Sequence, residues 1–164
     1  MAKADGIQYA ALPWRQAGRR LDILLITSRE TRRWVIPKGW PMKGRTPYEA
    51  AAVEAIEEAG VHGPIEPVPV GVYRYLKRMP DGRTLPIAVV VFPLLVLEQA
   101  PHWKEKAQRQ SRWFRYRKAA ALVAEPALKR LIRDFGEVRA RSPRAAVARF
   151  GGWMDAAGFG LRRE

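Results

Sequence analysis

Residues 34–61 read WVIPKGWPMKGRTPYEAAAVEAIEEAGV. A short β-rich run, Trp34-Val35-Ile36, stops at Pro37, and a basic loop punctuated by Gly39 and Gly44 follows. Thr46-Pro47-Tyr48-Glu49 then has the form of a helix start. Thr46 can accept from a free backbone N–H, Pro47 takes the first helical position, and Glu49 completes a T-x-x-E capping box. The residues after it are mostly Ala and Glu, strong helix formers, and Gly60 is a natural stop.

Glu54, Glu57 and Glu58 lie within that helix. Spacings of three and four put them on one face, with Ala52, Ala55, Ile56 and Ala59 expected to pack inward on the other. Neighbouring carboxylates repel, and the cost rises when they are half-buried. A divalent cation removes the conflict. Mg²⁺ and Mn²⁺ prefer carboxylate oxygens, and Mg²⁺ commonly shares one or two of them with substrate phosphates. Taken alone, E-x-x-E-E is more often a solvated acidic face. A basic Gly loop running straight into the helix shifts the reading toward a phosphate and metal site.

Working outward, the whole chain has 164 residues and 48% hydrophobic content, enough for one domain with a core. Thirty Lys and Arg against 16 Asp and Glu give a formal charge of +14, a field that attracts polyanions. The absence of Cys excludes disulfides and thiolate metal sites. No secretory leader opens the chain, and its longest apolar run, residues 85–97, is interrupted by prolines and too short to span a bilayer. A cytoplasmic protein without a membrane partner is the expectation.

The central stretch resembles the Nudix hydrolases, whose signature is G-x5-E-x7-R-E-U-x-E-E-x-G-U with U a bulky aliphatic residue. Gly39, Glu54, Glu57, Glu58, Gly60 and Val61 match it, and Ala55 is a weak match. Arg45 stands where the family has Glu, and Val53 where it has Arg. An acid and a base that pair in the family are thus both absent, which avoids leaving one buried charge alone. RRWVIPKG before the loop and RWFRYRKAAALV later in the chain extend the likeness to the diphosphoinositol polyphosphate and diadenosine polyphosphate branch, over residues 7–135.

That resemblance implies an α/β fold, an α/β/α sandwich on a mixed sheet. It implies a Mg²⁺-dependent pyrophosphohydrolase, with Mn²⁺ as a substitute, in which Glu54, Glu58 and Glu57 hold metal and Glu57 is the general base. For substrate it points to Ser28, Arg29 and Arg83. The residues themselves add Lys38, Lys43 and Arg45 as cationic contacts, the backbone at Gly39 and Trp40, and the Trp40 ring as a stacking surface. The expected substrate is a small, highly anionic polyphosphate. A nucleotide or capped-RNA pyrophosphatase, and a non-catalytic polyanion binder of the same fold, are the alternatives; nucleic acid is a possible but not favoured partner. Glu98 is a candidate extra acid from outside the signature. His102 is a weaker candidate substrate contact, and His62 reads as surface.

The remaining chain supplies a scaffold. Residues 6–14 and 21–27 read as strands. Residues 68–76 and 84–97 form a hairpin about the Pro80-Asp81-Gly82 turn. Residues 98–111 read as a polar loop and 112–116 as a short strand. Helices are expected over 118–123 and 125–135, the second with Leu128, Leu131 and Ile132 on one stripe, and a short one near 143–150. Residues 1–140 are expected to form the domain, and 141–164 a basic extension.

Overall fold

The structure, a computed structural model, describes residues 6–141. The helix expected near 143–150 lies outside them. Nine strands and three helices follow in the order β1 (Gly6–Ala17), β2 (Arg20–Thr27), β3 (Trp34–Val35), β4 (Lys38–Gly39), α1 (Pro47–Ala59), β5 (Val61–His62), β6 (Gly71–Arg78), β7 (Thr84–Leu95), β8 (Glu98–Gln99), β9 (Ser111–Arg115), α2 (Tyr116–Leu122) and α3 (Pro126–Arg141).

The main sheet runs β3-β2-β1-β7-β6, with β4 on β1 and β9 on β2. β1 and β7 are parallel over a long register from Gly6↔Ile87 to Trp14↔Leu95, while the other pairs are antiparallel, so the sheet is mixed. β5 and β8 form a separate two-stranded ribbon.

Both faces of the sheet are covered, which explains why LDILLIT in β2 is apolar without alternation. Leu24 and Ile26 point to the side of α1, with Ala11, Ala51, Ala55 and Ala59. Ile23 and Leu25 point to the side of α2 and α3, with Leu12, Trp14, Leu128, Ile132 and Phe135. Trp14 is sealed against Phe135 edge to face at 5.6 Å. Each fully buried aliphatic side chain contributes about 1.5–3 kcal/mol relative to exposure.

The site is positioned by a split in this sheet. β1 pairs with β2 only at its far end, Trp14 to Ala17, and with β4 at Tyr9 and Ala10. The other end of β2, Ile26 and Thr27, pairs with β3. Residues 34–39 therefore lie between diverging strands. Ile36 is fully buried there, and Pro37 O accepts from Ala11 N–H at 3.0 Å. The loop after β4 and the helix it feeds are launched from this point.

Several bounds differ from expectation for tertiary reasons. β6 begins at Gly71, inside the stretch expected to start at residue 68. The last helix extends to Arg141, past the expected stop at 135. Pro93 lies within β7, opposite Leu12 of β1, and its carbonyl accepts from Glu66 N–H at 2.9 Å. Among the described residues no helix is long and apolar enough to cross a membrane.

Candidate active site

Helix α1 begins as its sequence demands. Thr46 Oγ1 accepts from Glu49 N–H, Glu49 Oε2 accepts from Thr46 N–H at 3.0 Å, and Gly60 closes the helix in the left-handed conformation at φ 68°. Its buried stripe is Ala51, Ala55 and Ala59, with Ala50 and Glu58 beside it. The expected inward residues Ala52 and Ile56 are only half-buried. Methyl side chains at i, i+4 and i+8 let the helix lie close to β1 and β4, and this closeness separates the three glutamates.

Glu58 turns inward and is 8% exposed. Its Oε2 accepts from Lys38 N–H at 3.2 Å, and its Oε1 lies 3.3 Å from Arg109 Nη2. Burial raises its pKa, against the opposing pull of Arg109 and Lys38. Glu54 lies across Gly39, where a Cβ would meet its Oε1 at 2.1 Å. Among the described residues it has neither a hydrogen bond nor an ion pair. Burial, then Glu58, Glu57 and Glu105, push its pKa up to about 7. Glu57 faces outward, its Oε2 3.7 Å from Lys104 Nζ.

A second layer comes from residues 98–110. Ala100 N–H bonds Gly60 O, the Gln99 side chain bonds Ala59 O, and Glu105 N–H bonds Glu57 O at 3.0 Å. Carbonyls left open at the helix end are thereby satisfied. Trp103 packs flat on Gly60, where any Cβ would strike its ring. The segment brings in Glu105 and Arg109, neither of which the sequence reading singled out. The expected extra acid, Glu98, instead sits on β8 with its carboxylate 3.7 Å from His62 Nε2. The one sequence signal for the missed pair was its i,i+4 acid–base spacing.

The substrate candidates divide. Lys43 and Arg45 are exposed on the loop before α1. Trp40 is partly exposed, with its ring edge on Gly6. Arg29 reaches the site's edge, 3.4 Å from Glu105. The Ser28 hydroxyl is used within its own turn, meeting Thr31 Oγ1 at 2.6 Å and accepting from Arg33 N–H. Arg83 is 85% exposed at the β6–β7 tip and bonds Asp81. Gly39 is committed to β1 through its pairing with Tyr9.

Lys38 is not a surface cation. Its ammonium is enclosed 5.1 Å over the Tyr75 ring, and burial drives its pKa down to about 8, with Glu58 resisting. Around it stand Tyr75, whose hydroxyl donates to Gln8 Oε1 at 2.6 Å, and Arg33, which bonds Glu125 Oε1 at 2.8 Å. Glu125 Oε2 is buried without a partner. These four residues come from distant parts of the chain and carry no local signal.

The Lys38 shift has a testable sign. Between pH 8 and 10.5 the unfolded chain holds the proton that folded Lys38 has lost, so stability rises with pH across that window. Wild type should gain melting temperature over Lys38→Met between pH 8 and 10.5. Parallel curves would show that the amine is solvated.

The donor set suits a hard divalent cation in kind: Glu54, Glu57, Glu58 and Glu105 offer oxygen only. The partnerless, half-buried Glu54 is the carboxylate that such an ion would relieve. No three acidic or imidazole side chains among the described residues already converge as a metal cluster. Arg109 and the Lys38 backbone currently engage Glu58.

A NUDIX domain model matches residues 7–135. Nudix hydrolase 12, mitochondrial, of Arabidopsis thaliana is 31% identical over 119 residues, 71% of this chain and 59% of that protein. Nudix hydrolase 13, mitochondrial, of the same plant is 29% identical over 74% of this chain and 62% of its own length. The chain thus spans about three-fifths of these relatives. Among solved structures, a C. elegans Ap4A hydrolase binary complex superposes with TM-score 0.61 at 18% identity, covering 82% of this chain and 98% of that one. The NUDIX domain of Shewanella oneidensis NrtR complexed with ADP ribose gives TM-score 0.60 at 16% identity, covering 84% and 90%. At these identities the structural likeness establishes the fold.

Proposed function

Because this chain belongs to the Nudix family, we propose that it is a metal-dependent hydrolase of phosphoanhydride bonds in a small, highly anionic substrate of the diphosphoinositol polyphosphate or diadenosine polyphosphate type. The observation that carries the reading is Glu54. It is a carboxylate pressed on a glycine backbone among three other acids, with neither a hydrogen bond nor an ion pair among the described residues. Glu54 and Glu58 would hold Mg²⁺ or Mn²⁺, with Glu57 nearby. The ion would polarise the anhydride and acidify a water.

The chain's own residues do the rest. Glu57, on the open side of the helix, accepts the proton as the water oxygen bonds to phosphorus and the bridging P–O bond breaks. Arg29, Lys43 and Arg45 attract the phosphates, and Arg29 has the fork for bidentate contact. Lys38, inside, sets a positive floor. Ser28 and Arg83 belong to the outer rim of this proposal, Trp40 to its wall. A cytoplasmic location is part of it as well.

A nucleotide pyrophosphatase is the second reading. The exposed Trp40 ring favours it, because it offers a stacking face for a base. One assay separates the two. The hydrolysis products, orthophosphate from diphosphoinositol polyphosphate and AMP from diadenosine tetraphosphate and from ADP-ribose, are measured with Mg²⁺, with chelator controls and a salt series. The proposal expects no turnover in chelator, preference for four or more phosphates, and falling activity as salt screens exposed charges within about 10 Å at 0.1 M. Undiminished turnover in chelator removes the metal. Salt-insensitive preference for ADP-ribose moves the substrate to the second reading.

A further inference from the structure

We propose that Arg109 is the positioning residue for Glu58, delivered from outside the helix to do what positions 45 and 53 do not. The inference rests on the metal-site reading above and deepens it. Arg45 is exposed on the loop, and Val53 is apolar, so neither supplies an ion pair to the acidic face of α1. Arg109 does. Its side chain is 9% exposed, its Nη1 donates to Thr27 O at 3.1 Å, and its Nη2 lies 3.2 Å from Glu105 Oε1 and 3.3 Å from Glu58 Oε1.

The guanidinium is held from three directions. Thr27 ends β2, and its hydroxyl and N–H bond Gln110 N–H and O at 2.9 and 3.0 Å, pinning the residue next to Arg109. Glu105 approaches from a short 3-10 turn, Lys106–Gln108. Glu105 is itself tied to α1 through Glu57 O. A planar fork with fixed donors suits this geometry better than an ammonium. Arg109 and Glu105 together are a base and an acid, the same charges missing from the signature, moved into the 98–110 segment.

Arg109 touches no reacting atom on this reading. Its role is to fix the carboxylate of Glu58, leaving the second lone pair of Oε1 for a cation. Losing such an outer partner commonly costs 10–100-fold in metal affinity. The test is a double-mutant cycle read by Mn²⁺ binding, from the electron paramagnetic resonance of free Mn²⁺. Arg109→Ala should bind Mn²⁺ about 10–100-fold more weakly than wild type, with Arg109→Lys between them. In a Glu58→Gln background, Arg109→Ala should add less than about threefold, because the two act as one unit.

A merely structural Arg109 would give equal losses in both backgrounds, and that result overturns the inference. So does equal or tighter Mn²⁺ binding by Arg109→Ala. Should Arg109→Ala not fold, Arg109→Gln carries the same cycle, with melting temperature measured alongside. If wild type binds no Mn²⁺, the metal reading itself fails, and this inference with it.

Discussion

Glu57→Gln is expected to lower hydrolysis of a confirmed phosphoanhydride substrate by about 10²–10⁴, the usual worth of a general base. Gln keeps the size and the hydrogen-bonding edge and removes the proton-accepting charge. The Glu57 side chain is 35% exposed and tied only loosely to Lys104 at 3.7 Å, so its loss should not disturb packing. Glu54→Gln and Glu58→Gln should instead raise the Mg²⁺ concentration needed for half-maximal rate. Glu49→Gln is the control, because a Gln serves the capping box equally well and the Glu49 carboxylate bonds only Thr46 N–H among the described residues. Steady-state rates across a Mg²⁺ series read all four variants. Wild-type behaviour in all three site variants would sink the catalytic reading and favour a polyanion binder.

Gly39→Ala is expected to cost on the order of 10² in rate, since a misplacement of about 1 Å is enough for that. The added Cβ would meet Glu54 Oε1 at 2.1 Å and Cδ at 2.3 Å. Both atoms belong to the end of a flexible side chain, so the carboxylate moves aside and the backbone stays. Melting temperature should therefore change little while activity collapses. The contrast with Gly60 makes the outcome diagnostic: there a Cβ would strike the Trp103 ring from a φ of 68°, and folding itself would suffer. If Gly39→Ala retains full rate, Glu54 is not a working part of the site. If its melting temperature falls steeply, the glycine serves the β4–β1 pairing and not the carboxylate.

The helix and its caps were legible because their causes are local. Thr46, Pro47, Glu49 and Gly60 act within a turn of where they stand, and the glutamate spacings follow from the helical period alone. Strands β2, β6 and β7 were legible from apolar runs and the Asp81-Gly82 turn. The charge of Lys38 was legible, but its setting was not. Only its position on β4, facing Tyr75 of β6, turns a loop cation into an enclosed amine with a pKa of about 8.

By itself the sequence determined a capped helix carrying three acids behind a basic glycine loop, and through that signature the family. Tertiary structure decided how the acids differ. The alanine stripe sinks α1 toward the sheet, so Glu58 turns inward, Glu54 lies on Gly39 and Glu57 stays outside. It also decided that Glu105, not Glu98, joins them, and that Arg109 closes on Glu58. These are contacts between residues about 50 positions apart, and no local propensity encodes them. They arise because the segment after β8 satisfies the open carbonyls at the end of α1, and its side chains fall where the helix already points.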